Sequence, residues 1–302
     1  MAVINNEFLE VPFIRRIKMK RTLDIILIAV VVVALAAQCG RKKTPVNIRI
    51  SGSTTIEPLI RDAVREYNAR GNVTFSVSAT CSRSGFDSLV AGSCDIAMSS
   101  MEVPSEVVAQ AEKNGVSIKS FMIGYDAIVP IVHPSNGLSD VSFDRLGEIY
   151  NGTILRWSQL GGIDTAIEVV ERVDGSGTFS VWHHDVKVPG VRPQGVVELS
   201  TSSAVTAYVA SHPAAIGYVS VPWINPEVKP LSIDGVGITA EDLSIRKYRL
   251  RRPLYLYVNQ KRFGSEARSF IIFLMVNRRG HELMRKSGFF PVTTDLAKPE
   301  GE

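Results

Sequence analysis

The chain reads as an α/β protein built from strand–turn–helix units, and three observations predict it. From residue 46 onward, short apolar or alternating runs of strand length are followed by stretches with helical apolar spacing. The unit recurs along the chain, which is how layered α/β domains are assembled. Three of the connecting turns are rich in Ser, Thr and Gly, and each opens a helix. With 302 residues, 45% hydrophobic and 21% charged, the chain is long enough for one large or two smaller domains.

Residues 1–38 read as a leader. A basic cluster (Arg15, Arg16, Lys18, Lys20, Arg21) precedes the apolar run LDIILIAVVVVALAA at 23–37. That run falls short of the roughly 20 residues a spanning helix needs. It suits the apolar region of a secretory signal, with small residues ahead of Cys39. The sequence Ala36-Ala37-Gln38-Cys39 resembles a bacterial lipobox, which implies lipidation at Cys39 and a membrane-anchored, exported protein. Gln38 stands where that pattern carries Gly, Ala or Ser, so a plain signal peptide and an uncleaved anchor are the alternatives. Met19 opens a conventional leader of its own and is a second readable start.

Residues 39–45 form a polar, basic tether. Val46–Ile50 alternates as a strand, and Ile56, Leu59, Ile60, Val64 and Tyr67 space a helix ending near Asn68. Val73–Val77 is the next strand, Phe86–Ala91 an amphipathic stretch, and Asp95–Met98 a third strand. Further strands are expected at Ala127–Val132, Ala166–Arg172, Ile216–Val219 and Pro253–Val258. Helices are expected at Phe143–Tyr150, after Asp174, at Thr201–Ser211, Ser265–Met275 and Arg279–Lys286.

The 34 basic and 30 acidic residues give +4, and the leader removes five and three of them, leaving +2. So mild a charge argues against nucleic acid or an acidic polymer as partner. Any anion must be held by local groups. Cys81 and Cys94 are expected at opposite ends of one short helix, too far apart to bridge at ~1.5 Å rise per residue. Two buried thiols are therefore the expectation, with a disulfide the alternative.

The three turns are Ser51-Gly52-Ser53-Thr54-Thr55, Ser82-Arg83-Ser84-Gly85 and Asp174-Gly175-Ser176-Gly177-Thr178. Each offers hydroxyls, unpaired backbone N–H groups and the positive end of a helix dipole. One such turn is an ordinary N-cap. Three of them at strand carboxyl ends, with Arg172 two residues before Asp174, form a cage for a small tetrahedral anion.

These motifs carry a resemblance. GSTTIEPL, the SRSG turn, AGSCDIAMSS, LGEIYNGTILRWSQLGG, VVERVDGSGT, HPAAIGYVS and RRPLYLYV occur in the order found in the phosphate-binding proteins of bacterial phosphate ABC importers, from Val46 to Val292. The resemblance implies a two-lobed periplasmic-binding-protein fold, type II-like, with the ligand cleft between lobes. It divides the chain into 46–125 (first part of lobe 1), 126–254 (lobe 2) and 255–302 (rest of lobe 1), crossing near Tyr125–Val129 and Arg252–Tyr257. It implies phosphate contacts from Thr54, Thr55, Ser82, Arg172, Ser176, Gly177 and Thr178, with Ser53 supporting and Asp174 orienting Arg172. Where the best-known branch has an aspartate accepting the phosphate's proton, this chain has Ser100, so the filter against sulfate is weaker or built differently. Arg83 either reaches the ligand or lies at the rim. The implied partners are inorganic phosphate and an inner-membrane permease, with the protein a monomer, no cofactor and no metal.

Other readings compete with this one. His183-His184-Asp185 suggests metal, but adjacent helical histidines diverge, so a solvated or partly packed face is expected. Trp157, Trp182 and Trp223 are expected to be packing residues, and Arg246–Arg252 a solvated basic segment or one facing a membrane or transporter. An enzyme using Ser176 or Ser82 as nucleophile needs an activating base, which no motif supplies. A sensor that binds phosphate without feeding transport, and a binder of another oxyanion such as sulfate, are the remaining alternatives.

Overall fold

The computed structural model describes residues 46–68, 73–188, 194–239 and 247–292. The leader, the tether and the lipidation site lie outside them. The chain runs β1 (Val46–Gly52), α1 (Glu57–Asn68), β2 (Val73–Ala79), α2 (Ser82–Val90), β3 (Ile96–Ser99), α3 (Ser105–Lys113) and β4 (Ile118–Val132). It continues β5 (Asp140–Val141), α4 (Phe143–Tyr150), β6 (Glu168–Arg172), α5 (Gly177–Asp185), β7 (Val197–Leu199), α6 (Ser202–Ser211) and β8 (Ala215–Ser220). It closes with β9 (Lys229–Pro230), β10 (Ser232–Ile233), β11 (Arg251–Asn259), α7 (Ser265–Val276), α8 (Arg278–Lys286) and β12 (Phe290–Pro291).

Alternation sets β1, where Ile48 and Ile50 go inward and Asn47 and Arg49 outward. β2 and β3 flank it, both parallel, with α1 and α2 as the crossovers. The three strands' carboxyl ends therefore lie at one edge. The same logic places β6 between β7 and β8, again all parallel. Two long antiparallel strands join the halves: β11 pairs with β3 and β4, and β4 continues to pair with β8.

The hydrophobic residues separate accordingly. One core gathers residues from Ile48 to Ile123 and from Leu254 to Phe289, with Phe75 and Phe270 at 4.8 Å among its aromatic contacts. The other gathers residues from Ala127 to Leu250, around Trp182 stacked on Tyr218 at 4.2 Å. Among the described residues the long strands β4 and β11 run between the two cores, and there Asp126 lies opposite Arg252 in register.

Most expected elements appear, Phe143–Tyr150 with the same bounds. α2 begins at Ser82, four residues before the expected Phe86, so the SRSG segment is the helix's first turn rather than a loop. Gly85 is needed there for packing: a Cβ would lie 2.8 Å from the Gly52 Cα. Cys81 and Cys94 are both free thiols; Cys94 is buried as expected, but Cys81 is only partly buried.

Candidate functional site

Four helix amino termini meet between the two cores. α1 follows the Ser53–Thr55 turn, and α2 is capped by Cys81. α5 is capped by Ser176, whose Oγ accepts the Phe179 N–H, and α6 by Thr201, whose hydroxyl accepts the Ala204 N–H. Each presents first-turn N–H groups and a positive dipole end toward the same region.

The structure brings together nearly all the residues singled out from sequence. Ser53 Oγ donates to Ser100 Oγ at 3.2 Å, and the Ser100 N–H donates to Ser82 Oγ at 3.3 Å. Across the gap between the cores, Thr55 Oγ1 and Thr178 Oγ1 stand 3.1 Å apart, and Thr54 Oγ1 and Ser202 Oγ 3.3 Å. The Arg83 N–H donates to the Gly175 carbonyl at 3.1 Å, and the Trp223 indole N–H to the Thr54 carbonyl at 3.2 Å. Ser53, Thr54, Thr55, Ser82, Ser100, Arg172, Ser176 and Thr178 are all buried, none more than 3% exposed. So many adjacent buried hydroxyls are unusual unless a polar ligand uses them.

Arg172 ends β6 and is held by three neutral acceptors: the Leu199 carbonyl at 3.3 Å, the Ser200 carbonyl at 2.8 Å and Ser202 Oγ at 3.0 Å. Burial pulls its pKa down to about 10, well above neutrality, so it stays charged. Asp174 does not orient it. That carboxylate is exposed and accepts the Gly175 N–H at 2.7 Å, closing its own turn at Gly175, whose φ is +82°. Arg83 takes the rim position of its two readings, pairing with Asp87 at 3.2 Å and Glu106 at 3.3 Å while 45% exposed.

Four contributors were missed in the sequence. Ser202 belongs to a fourth Ser/Thr-rich helix start, the same signal as the other three. Trp223 is a partly buried clamp rather than only a packing residue. The largest correction concerns the basic run. Within its described part, Tyr248 and Leu250 are buried, Arg249 stacks on Phe143 and Arg251 on Tyr125 at 3.6 Å each. Arg252 is 2% exposed and donates from Nε and Nη2 to Asp126 Oδ2 at 2.9 and 2.8 Å. Its Nη2 also reaches Thr55 Oγ1 at 3.2 Å and Thr178 Oγ1 at 3.1 Å. Burial depresses the Arg252 pKa and raises that of Asp126, each against the other's attraction. Period-2 spacing puts Arg252 on one face with Leu254 and Leu256, and that was the available signal.

The hydrogen-bond network thus contains two guanidiniums and one carboxylate. A cleft of about 720 Å³ opens beside it, lined by Ser100, Arg252, Gly175, Asp174 and Arg83 among others. Among the described residues, Ser82 Oγ accepts the Ser100 N–H and Ser176 Oγ the Phe179 N–H, and neither is hydrogen-bonded to a histidine or carboxylate. His183 Nε2 instead meets Glu171 Oε1 at 2.8 Å, and the exposed His184 meets Asp185.

Two α/β halves, joined by two crossing strands and facing each other across a cluster of buried donors, define a binding protein of the two-lobed periplasmic type. The comparisons agree, for the model of the PBP superfamily domain matches residues 39–278, and the chain belongs to that family. A phosphate-binding protein PstS from Borreliella burgdorferi is 26% identical over 89% of this chain and 99% of its own length. One from Bacillus subtilis is 29% identical, covering 84% and 83%. Among solved structures, a phosphate ABC transporter substrate-binding protein from Clostridium perfringens with bound phosphate superposes at TM-score 0.77, with 26% identity, over 82% of this chain and 100% of that one. An ABC-type phosphate transport receptor from Vibrio cholerae shares the fold at TM-score 0.66 and 24% identity, over 81% and 100%.

Proposed function

We propose that this protein is an extracytoplasmic substrate-binding protein that captures inorganic phosphate between its lobes and delivers it to the permease of an ABC importer. The observation that carries the reading is the convergence of donors from both cores on one buried locus. Thr54, Thr55, Ser82 and Ser100 come from one side, and Arg172, Ser176, Gly177 and Thr178 from the other. The relatives named for phosphate binding, and the phosphate-bound structure at 26% identity, support the choice of anion. The lobes are proposed as 46–125 with 255–302, and 126–254; the two cores separate along the same lines except at Leu254, which packs in the first core. Cys39 is proposed as the lipid-bearing residue that holds the protein at the membrane, as a monomer.

Binding then works by bridging. An anion entering the open cleft accepts bonds from both lobes and holds them together, giving the permease a closed shape to recognise. In this reading the protein's part is recognition.

Calorimetric titration of residues 40–302, stripped of anion, tests the reading. Micromolar or tighter 1:1 phosphate binding is expected; silence toward phosphate together with heat from another oxyanion would reassign the ligand.

Ser100 makes a second test. It is fully buried between Ser53 and Ser82. A carboxylate there would accept the proton of hydrogen phosphate and repel sulfate, which has none. Ser100→Asp is expected to lower sulfate affinity at least ~10-fold more than phosphate affinity, a difference of about 1.4 kcal/mol. Equal losses for both anions would show that position 100 does not face the ligand.

A further inference from the structure

Arg172 is the arginine the motif announces, but the structure holds a second guanidinium at the same locus. Arg252 leaves β11 where the chain passes between lobes, and its side chain is 2% exposed. Its Nη2 sits within 3.2 Å of one hydroxyl from each side of the cleft, Thr55 and Thr178. Its Nη1 is buried and has no hydrogen-bond partner. An arginine needed only to neutralise Asp126 would be satisfied through Nε and Nη2 and would have no reason to keep a buried donor unpaired, which is costly. It also lines the cleft alongside Ser100.

Asp126 is fully engaged. Its Oδ1 accepts Ser220 Oγ at 2.6 Å and its Oδ2 accepts Arg252 twice. It therefore fixes the guanidinium and is not a free acceptor for a ligand proton. Arg172 reaches the site through Ser202, which touches Thr54. The two arginines thus reach the hydroxyls of two adjacent residues, Arg172 that of Thr54 by way of Ser202 and Arg252 that of Thr55 directly.

Resting on the phosphate reading, we propose that Arg252 is a second ligand-contacting cation, so that the anion is held between two guanidiniums, with Asp126 as the residue that positions Arg252. Arg172 belongs to one lobe and Arg252 to the connection between lobes, so the anion ties the second lobe directly to the crossing strands. A tetrahedral dianion suits such a pair, because each guanidinium can meet two oxygens.

The test must separate contact with the anion from simple neutralisation of Asp126. Arg252→Gln alone strands a buried carboxylate and can lose binding by either route. The double variant Arg252→Gln/Asp126→Asn removes both charges and leaves the network's net charge unchanged. Thermal melts without anion establish that it folds, and phosphate titration of it and of the unaltered protein gives the answer. If Arg252 touches the anion, the double variant binds phosphate at least ~30-fold more weakly than the unaltered protein, the scale of one charge-assisted bond. Affinity within about threefold of the unaltered protein assigns Arg252 to charge balance alone and overturns the proposal while leaving the phosphate reading intact. An unaltered protein that binds no phosphate overturns both. If the double variant does not fold, Arg252→Lys with Asp126 retained keeps the charge pair but removes the fork; undiminished affinity there is the overturning result, and a loss of ~10-fold or more the supporting one.

Discussion

Replacing Arg172 with alanine is expected to weaken phosphate binding at least ~100-fold, on the order of 3 kcal/mol or more. The guanidinium is already oriented by Leu199, Ser200 and Ser202, so an anion meets a fixed fork and little side-chain entropy is lost on binding. None of those partners is charged, so the charge is uncompensated until the ligand arrives. The lowered pKa records the same fact. Burial holds the folded value near 10, below the unfolded one, so the cation destabilises the empty fold at neutral pH, and this cost vanishes only as pH rises past the unfolded value. Removing it should therefore change the melting temperature of the anion-free protein little, offset by the cavity left behind. The rise in Tm that phosphate gives the unaltered protein should largely disappear, because that rise follows ligand concentration over Kd. Titration and paired melts check both. Near-normal affinity in Arg172→Ala would remove Arg172 from the site.

Arg172 was legible because it sits beside a turn with a strong pattern; Arg252 was not, and the contrast explains how far the sequence could be read. Local signals declared themselves. Alternation marked β1, the spacing of Phe143, Leu146, Ile149 and Tyr150 marked α4, and the three hydroxyl-rich turns marked helix starts. What failed was information held in pairing across long sequence distance. β4 starts at Ile118, yet its first nine residues, IKSFMIGYD, lack a clean apolar run, because Lys119 and Ser120 are exposed and Phe121, Met122 and Tyr125 only partly buried; what makes them strand is pairing with β11, more than a hundred residues away. Asp126 and Arg252 each look like a polar blemish in an apolar strand, and only the register that sets them opposite one another makes them a buried pair. α3 was missed for a plainer reason: only Val107 and Ala111 of its nine residues are buried, too few to show a periodicity.

Gly177→Ala is expected to weaken phosphate binding at least ~100-fold while sparing the fold of each lobe. Gly177 is the first residue of α5, and its backbone is already helical, so alanine would be tolerated, even favoured, by the helix itself. The obstacle lies across the cleft. A Cβ built there would stand 2.6 Å from Ser82 Oγ, 2.7 Å from Ser100 Oγ and 3.1 Å from the Ser100 carbonyl carbon. Those atoms belong to the opposite core, and the backbone carbon cannot rotate away as a hydroxyl can. The methyl therefore acts as a wedge, opposing approach of the donors on Thr178 and Arg172 to those on Thr55 and Ser82. A shift on the order of 1 Å breaks charge-assisted bonds whose strength depends on distances near 2.8 Å. A loss of at least ~100-fold in affinity is expected, with the anion-free melting temperature nearly unchanged. Gly52→Ala supplies the contrast: there φ is +137° and a Cβ would lie 2.2 Å from the Met98 carbonyl oxygen, within one sheet, so the fold itself should suffer. Small-angle scattering with saturating phosphate distinguishes the outcomes for Gly177→Ala, since a wedged cleft stays expanded where the unaltered protein contracts. Contraction and normal affinity in that variant would mean that Gly177 does not face Ser82 and Ser100 when phosphate is bound.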